Sequence, residues 1–332
     1  MPDKDIMFFN VQSTFKLGSL CLLLIVMMVV VSSATSYINT VSYAEDSTTS
    51  KLTSSLPSRN VVASSDNSST LDDVSQVQDL QSKLLAKDLE DILQSAVSAL
   101  ELVTDNLTPL KVAPNETLLK TTLKTLHGIS SNSDEPKRKL VEDILSKYKI
   151  FEYISYDTPR GDVYLAEPFP AQTSIPNPNF ANREHFKGAI ATKAPFVSNV
   201  INSASYGTPH AAMAIPVYSQ DDNSGSLIGI LVGGLNFTYF DQSIRSLNLT
   251  DHNNNQRIIL TDHNGTAIFD SSLRNNYAPK VGSFASLQSF KNALEGRSGS
   301  MVEPFNGTKM LISYHPVKAV QRTWVLMLMR TI

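Results

Sequence analysis

The stretch from Phe180 to Phe237 most constrains what this chain can fold into. It opens with a short helical pattern over residues 183–191, for which Asn182 is the predicted N-cap and Arg183 lies on the first turn. Alternating apolar runs at 209–219 and 226–237 then predict long antiparallel strands. A helix lying over such a sheet leaves a concave space, here called the first cup. The sequence therefore predicts a cup with one cationic group at its rim.

The N-terminal segment predicts that the chain is exported. Residues 17–31 are strongly apolar and follow Lys16, which fits a signal peptide with cleavage near Ala34 or Ala44. Residues 17–38 together are also long enough for a transmembrane anchor, with residues 1–16 in the cytoplasm. Both alternatives place the rest of the chain outside the cytoplasm, either anchored by one N-terminal helix or secreted.

Residues 39–70 are rich in Ser, Thr, Asn and Asp and predict a disordered linker. Seven Asn-x-Ser/Thr triplets agree with an extracytoplasmic glycoprotein, although each is weak alone. They begin at Asn67, Asn106, Asn115, Asn236, Asn248, Asn264 and Asn306.

Residues 71–148 predict a long helix followed by two shorter helices, at 115–127 and 135–148. The long helix carries apolar residues at intervals of three to five, which favours one apolar face. That face would pack along a domain, or it would pair with a second copy in a homodimer. Its members are Val77, Leu80, Leu84, Leu89, Ile92, Ala96, Leu100 and Val103.

Composition and motifs argue for a binding module rather than an enzyme. The formal net charge is −3 with scattered basic residues, so no nucleic-acid surface is expected. Cys21 is the single cysteine and cannot form an internal disulfide. His263 and His315 lack metal-ligand spacing, and residues 296–299 lack the spacing of a nucleophile elbow. No cofactor or metal is expected.

Two similar sets of elements follow the helices, which predicts an α+β fold. Residues 149–247 give a hairpin, an extended Pro-rich loop at 168–178, the helix at 183–191 and three strands. We expect one twisted sheet with helices on one face. Residues 248–332 repeat this plan in smaller form. This second module would be a spacer and support, or it would provide a second ligand site.

Three short motifs carry a family resemblance: NFANREHFKGA at 179–189, AIPVY at 214–218 and GILVGGLNF at 229–237. In their order and spacing, residues 71–332 resemble the double Cache domain of extracytoplasmic sensors. The resemblance implies a long N-terminal helix followed by two tandem PAS-like (Cache) modules, each an antiparallel sheet with flanking helices. The membrane-distal module, 149–247, would bind a small molecule, and 248–332 would be the membrane-proximal module. Since no output domain follows, signalling would need a separate partner, or the chain would capture a ligand without signalling itself.

The resemblance also implies site residues. Arg183 matches the family arginine that binds a ligand carboxylate, a task suited to a bidentate guanidinium. His185 and Phe186 stand where related amino-acid sensors carry a Trp-Tyr pair. Gly234 stands where those sensors carry the aspartate that binds the amino group. The ligand expected is therefore a small carboxylate or a neutral metabolite.

Three further residues are candidates for the wall of the cup: Tyr164, Tyr206 and His210. Other readings stay open at this stage. Arg183 would instead tie the Pro-rich loop to the sheet, and His185 would be an ordinary packed histidine. The chain as a whole would then be a cell-surface structural or adhesion protein whose cup is filled.

Overall fold

A computed structural model describes residues 67–106, 113–219, 225–246, 256–273 and 284–332. The predicted signal or anchor segment and nearly all of the linker lie outside these residues. Within the described ranges, no helix combines the length and hydrophobicity needed to span a bilayer.

The described residues form helices and antiparallel strands in the predicted order. The helices are α1 (Asn67–Asn106), α2 (Glu116–Leu126), α3 (Glu135–Lys147), α4 (Phe169–Thr173), α5 (Glu184–Thr192), α6 (Phe237–Ser246) and α7 (Gln288–Leu294). The strands of the first module are β1 (Phe151–Asp157), β2 (Val163–Glu167), β3 (Phe196–Val197), β4 (Ile201–Asn202), β5 (Pro209–His210), β6 (Ala212–Tyr218) and β7 (Leu227–Leu235). Those of the second module are β8 (Gln256–Thr261), β9 (Ala267–Asp270), β10 (Gly299–Phe305), β11 (Thr308–Ala319) and β12 (Arg322–Thr331).

Helix α1 confirms the long helix but corrects its apolar face. The five-residue step from Leu84 to Leu89 rotates the pattern onto another side of the helix. Val77, Leu80 and Leu84 are accordingly about 60 % exposed, at 59 %, 59 % and 60 %. The buried line continues instead through Gln78, whose amide donates to the carbonyl of Leu328 at 2.7 Å. The prediction of a single stripe merged two faces.

Two five-stranded antiparallel sheets lie along α1. The first has the order β2-β1-β7-β6-β3 and the second β10-β11-β12-β8-β9. One continuous apolar core joins α1 to a face of both sheets, including Leu231 in the first and Leu326 in the second. Helix α5 packs on the other face of the first sheet, where Phe186 meets Val232. Helices therefore cover both faces, and the expectation of helices on one face is wrong.

The Pro-rich segment is also more ordered than expected, because it contains the short helix α4. Gln172 fixes this helix to the lead-in: its Nε2 donates to the carbonyls of Leu126 and Ile129 at 2.8 Å each, and its Oε1 accepts from Ala166 N. Pro168 precedes the helix and Pro170 lies at its start, a position that tolerates proline.

Candidate ligand-binding site

Strand β1 has two faces, and one of them forms the floor of the first cup. Tyr153, Ser155 and Asp157 alternate along that face. Ser155 pairs with Val232 and Asp157 pairs with Ile230 on β7. Val232 and Ile230 both belong to the apolar cluster that packs against α5. The side chains of Tyr153, Ser155 and Asp157 therefore point toward α5.

Arg183 lies at the rim of the cup. It occupies the N-cap position of α5 with an extended backbone and makes no side-chain cap bond, so the predicted cap Asn182 is one residue too early. Its Nη1 donates to the carbonyl of Asn202 at 3.3 Å, and its guanidinium lies 5.9 Å from the ring centroid of Phe180. Among the described residues no carboxylate lies within ion-pair distance of Arg183.

His185 lies in the first turn of α5, two residues after Arg183, and is only 3 % exposed. Neither ring nitrogen has a hydrogen-bond partner, and the ring meets Phe180 edge-on at 6.0 Å. Burial, followed by the charges of His210 and Arg183, lowers the pKa of His185 to about 3. The ring is therefore neutral at neutral pH and offers one donor and one acceptor, both unused. An unsatisfied buried polar group costs free energy unless something pairs with it.

Phe186, the next residue, lies in the apolar cluster beneath α5. Its neighbours there include Phe196 and Ile230. Phe186 is thus a packing residue that fixes α5 on the sheet, and it supports the position of His185.

Gly234 lies on β7 directly opposite Tyr153. A Cβ atom at Gly234 would stand 2.2 Å from Cε1 of Tyr153, so glycine is what allows the tyrosine ring to cross the strand. The Tyr153 ring lies 5.5 Å from that of His210 and 6.2 Å from that of Tyr206. The structure therefore brings Tyr206 and His210 together around Tyr153, which sequence reasoning missed.

Tyr153 is fully buried, and burial raises the pKa of its hydroxyl. The charges of Glu152 and Asp157 raise this pKa further, while that of Arg183 lowers it. Tyr153 thus lies within electrostatic reach of both the rim and the floor. His210 Nδ1 and Glu152 Oε1 are 2.8 Å apart and close the side of the cup.

Tyr164 lies on the opposite face of the sheet from the cup. The ladder shifts between Tyr156 and Asp157, and Tyr164 falls at this irregularity on β2. Its ring packs edge-on against Tyr156 in the apolar core between α1 and the sheets, and its hydroxyl donates to Asp134 at 2.7 Å. The structure does not bring Tyr164 to the other candidates.

Asp157 and Ser155 were also missed. Both are fully buried, and neither the carboxylate oxygens nor Ser155 Oγ have a partner at hydrogen-bond geometry. Burial raises the pKa of Asp157 well above its usual range, an effect that the nearby Ser155 hydroxyl partly offsets. The signal that could have revealed them lies in β1. Ser155 and Asp157 are two residues apart, so they lie on the same face of a central strand, where polar side chains are unusual.

The second module repeats this local architecture. Arg183 N donates to Phe180 O at 2.8 Å, and Leu287 N donates to Phe284 O at 3.1 Å, each at the start of the equivalent helix. Leu287 is therefore the counterpart of Arg183. In the strands, Tyr153 pairs with Gly234 as Arg257 pairs with Met329, so Met329 is the counterpart of Gly234.

The equivalent space in the second module, here called the second cup, is filled by apolar side chains. Leu287, Phe290, Met327 and Met329 pack with Ile259 in one apolar cluster. The same positions in the first module carry Arg183, Val232, Gly234 and Ser155, while Phe186 takes the place of Phe290.

Two concavities of about 350 Å³ and 330 Å³ lie along α1, the first lined partly by Leu85 and Ile244 and the second partly by Tyr148 and Tyr239. Across the described ranges, no group of three or more His, Cys, Asp or Glu is placed to hold a metal ion.

A long helix backing two PAS-like modules, with Arg183 and His185 at the start of α5 in the first and Leu287 and Ser289 at the equivalent positions in the second, defines a tandem sensor-type fold. The chain belongs to the double Cache family: the family model described as Cache domain matches residues 63–331. No curated protein matches the sequence significantly.

Solved structures agree with this fold. The ligand-binding domain of the Pseudomonas aeruginosa amino acid chemoreceptor PctB, in complex with L-Arg, is 16 % identical with a TM-score of 0.56, covering 78 % of this chain and 88 % of that one. The ligand-binding domain of the Pseudomonas fluorescens chemoreceptor CtaA, in complex with L-isoleucine, is 14 % identical with a TM-score of 0.53, covering 79 % and 94 %. The periplasmic sensory domain of the Campylobacter jejuni chemoreceptor Tlp1 is 10 % identical with a TM-score of 0.55, covering 79 % and 96 %. At these identities the likeness shows the fold alone.

Proposed function

We propose that this chain is an extracytoplasmic sensor module that binds a small carboxylate in the first cup. Arg183 would bind the carboxylate, while Tyr153, His185, Tyr206 and His210 would form the wall around the ligand. The second module would support the first without binding a ligand of its own.

One observation carries this proposal: the hydrogen-bonding capacity of Arg183 and His185 at the entrance of the first cup is largely unused. Arg183 is half-buried with a single, 3.3 Å bond to the Asn202 carbonyl. Below it, His185 is buried with both nitrogens unpaired. A carboxylate would satisfy the guanidinium in the fork geometry that it favours, and a second ligand atom would satisfy His185.

A ligand screen on the full chain tests the proposal. Thermal unfolding is followed with acetate, L-lactate, succinate and a set of amino acids, and isothermal titration follows any hit. A ligand at one hundred times its Kd adds about 2.7 kcal/mol to the free energy of unfolding, which thermal unfolding detects readily.

Arg183→Met should weaken binding by on the order of 30-fold or more, since it removes one partner of a charged pair. The matched control is Arg297→Met, an exposed arginine of the second module, which should leave affinity unchanged. If no carboxylate binds, or if Arg183→Met binds like the unaltered chain, the proposal fails. The alternative of a surface structural or adhesion protein with a filled cup would then stand, in keeping with concavities that lie along α1.

The proposal extends to how the module is held and assembled. We infer that residues 17–38 export the chain and either anchor it or are removed, which mass spectrometry of the mature N-terminus distinguishes. The exposed side chains of Val77, Leu80 and Leu84 share a helical face, and a second copy would offer the same face to it. We also infer that the module passes its signal to a separate partner protein.

A further inference from the structure

We propose that Asn306 is a glycosylation site whose side-chain amide carries an N-linked glycan on the folded chain. Asn264 begins the identical triplet Asn-Gly-Thr, and the fold withholds it from the same modification. The two triplets lie in one module, so their structures can be compared directly. The inference goes beyond ligand binding and rests on the export of the chain inferred above.

The whole chain has an excess of Asn-x-Thr triplets. It contains 23 asparagines, 24 threonines and 41 serines, and six of its seven triplets end in Thr. Composition alone would place Thr two residues after Asn about twice, and Ser about three times. A sequence that is merely rich in Ser and Thr does not explain this bias. Threonine presents the hydroxyl that the triplet requires on a β-branched, stiffer side chain than serine.

Asn306 and Gly307 form the two-residue turn between β10 and β11. Phe305 and Thr308 pair directly across it, and the turn residues have positive φ angles of 50° and 79°, as a type I′ turn requires. Asn306, Gly307 and Thr308 are all exposed. Among the described residues, no heavy atom would lie within 4 Å of a Cβ built on Gly307. An enzyme can therefore reach the whole triplet, including its threonine.

The triplet at Asn264 is held against the rest of the second module. Asp262 Oδ1 accepts from the backbone N–H groups of Asn264 at 2.9 Å and Thr266 at 2.8 Å. A Cβ on Gly265 would stand 2.7 Å from the backbone nitrogen of Ala285, so the turn packs against the segment before α7. Asn264 is exposed, but Thr266 is only 3 % exposed. The threonine that the triplet requires is thus buried.

The modification replaces one bond to the sugar with another. The donor is an oligosaccharide joined to a lipid through phosphate. Nδ2 of Asn306 bonds to the anomeric carbon of the first sugar and loses one proton. The bond from that carbon to the phosphate oxygen breaks, and the lipid phosphate leaves with its electron pair. An exposed, exported turn with an open triplet is the substrate that this transfer needs.

The turn lies far from the first cup. Strand β11 runs from Thr308, beside the turn, to Ala319. Ala319 pairs with Arg322, which binds Glu184 at the start of α5. At about 3.4 Å per residue, roughly 35 Å separate the two ends of β11. A glycan on Asn306 would therefore leave the first cup open to a ligand.

Mass spectrometry of the full chain, purified from cells that produce it naturally, tests the proposal. Peptides are assigned as intact glycopeptides, because an exposed Asn-Gly pair also deamidates to Asp without any glycan. We expect a glycan on the peptide that contains Asn306 in most copies of the chain, and none on the peptide that contains Asn264. Glycans on both peptides, or on neither, would overturn the proposal.

Variants of the two triplets separate the modification from the turn. Asn306→Asp keeps a residue that tolerates positive φ, and Thr308→Ala keeps the asparagine. Each should lower the intact mass by one glycan, whereas Thr308→Ser should retain it. Asn264→Asp is the matched control and should leave the glycan mass unchanged. A glycan that persists in Thr308→Ala would refute the site.

Ligand affinity provides a readout that is independent of the glycan. Enzymatic removal of the glycan should leave the affinity of any carboxylate that binds the first cup unchanged. A chain that is glycosylated at Asn306 and binds no carboxylate would refute the proposed function alone. A chain that binds a carboxylate and carries no glycan at Asn306 would refute the glycosylation site alone.

Discussion

The two Cache modules share one local design and differ in what fills it. In the second, Leu287 covers a cup packed with Met327 and Met329. In the first, Arg183 stands at the same point of the helix and the cup contains buried polar groups without partners. Both modules fold on equivalent backbones, although these positions are polar in the first and apolar in the second. The comparison therefore distinguishes the candidate ligand-binding residues from residues that pack the scaffold.

The largest expected change in the free energy of unfolding comes from exchanging the N-cap residues Arg183 and Leu287 between the modules. Leu287→Arg would place a guanidinium in an apolar cluster, beside a Glu303 carboxylate that already accepts from two backbone N–H groups, and we expect a loss of about 3 kcal/mol or more in the free energy of unfolding. Arg183→Leu, the reciprocal change, should alter this free energy by no more than about 1 kcal/mol. Urea unfolding of the full chain measures both. Equal losses would show that Arg183 is structural.

Gly234 provides the next largest contrast. Its counterpart is Met329, but any Cβ at Gly234 would meet the Tyr153 ring at 2.2 Å. We expect Gly234→Ala to destabilise the chain by about 1–3 kcal/mol through overpacking. Tyr153→Leu in the same chain should recover most of that loss, so a double-mutant cycle in urea should give a coupling of similar size. Additive effects would mean that the ring does not depend on this glycine.

These contrasts also show how far the sequence alone could lead. Alternation and helix signals predicted the order of elements and the tandem plan, and Arg183, His185, Tyr206 and His210 do lie together. Tyr164 could not be assigned to a face, because a shift in the β1–β2 ladder lies beside it. Where a ladder is irregular, alternation along the sequence does not predict which face of the sheet a side chain takes.

Asp157 was missed for a related reason. A carboxylate before a turn in the segment 157–161 reads as turn chemistry, and only the hydrogen bonds show that Thr158 performs that role. Likewise Gln78 continues the buried line of α1 although it is polar, since its amide finds backbone carbonyls in the second sheet. Burial of such a polar side chain depends on partners far along the chain, which a local pattern does not contain.

His185 predicts a pH dependence that its counterpart, Ser289, cannot have. With a folded-state pKa of about 3 and an ordinary unfolded value near 6.5, the unfolded chain binds more protons in this interval. The contribution of His185 to stability is thus complete above pH 6.5 and is lost as the pH falls toward 3. Between pH 6.5 and 5 the expected loss is about 1.5–2 kcal/mol.

The measurement compares urea unfolding of the unaltered chain and His185→Leu at each pH. Asp157, whose pKa is raised in the folded state, contributes a slope of opposite sign, so the difference between the two curves isolates His185. Parallel curves for His185→Leu would contradict the buried, neutral histidine.

The smallest expected effect concerns how the modules are joined. In the second module, Glu303 accepts from the backbone N–H groups of Gln288 and Ser289 at 2.8 and 3.0 Å, so α7 is held from within its own module. In the first, Glu184 accepts from Asn199 at 3.0 and 2.8 Å and also binds Arg322, on β12 of the other module, at 2.5 Å. The helix that carries Arg183 is therefore tied to the strand that ends the described chain.

Because Glu184 and Arg322 are both partly exposed, their coupling should be modest, about 0.5–1 kcal/mol in a double-mutant cycle of Glu184→Gln and Arg322→Gln. Affinity for the ligand is the more informative readout, since Glu184 follows Arg183 directly. If ligand binding shifts α5, Arg322→Gln should change affinity by a few-fold while Arg297→Gln, on the surface of the same module, leaves it constant. An unchanged affinity would mean that the bond between Glu184 and Arg322 holds the modules together without responding to a ligand in the first cup.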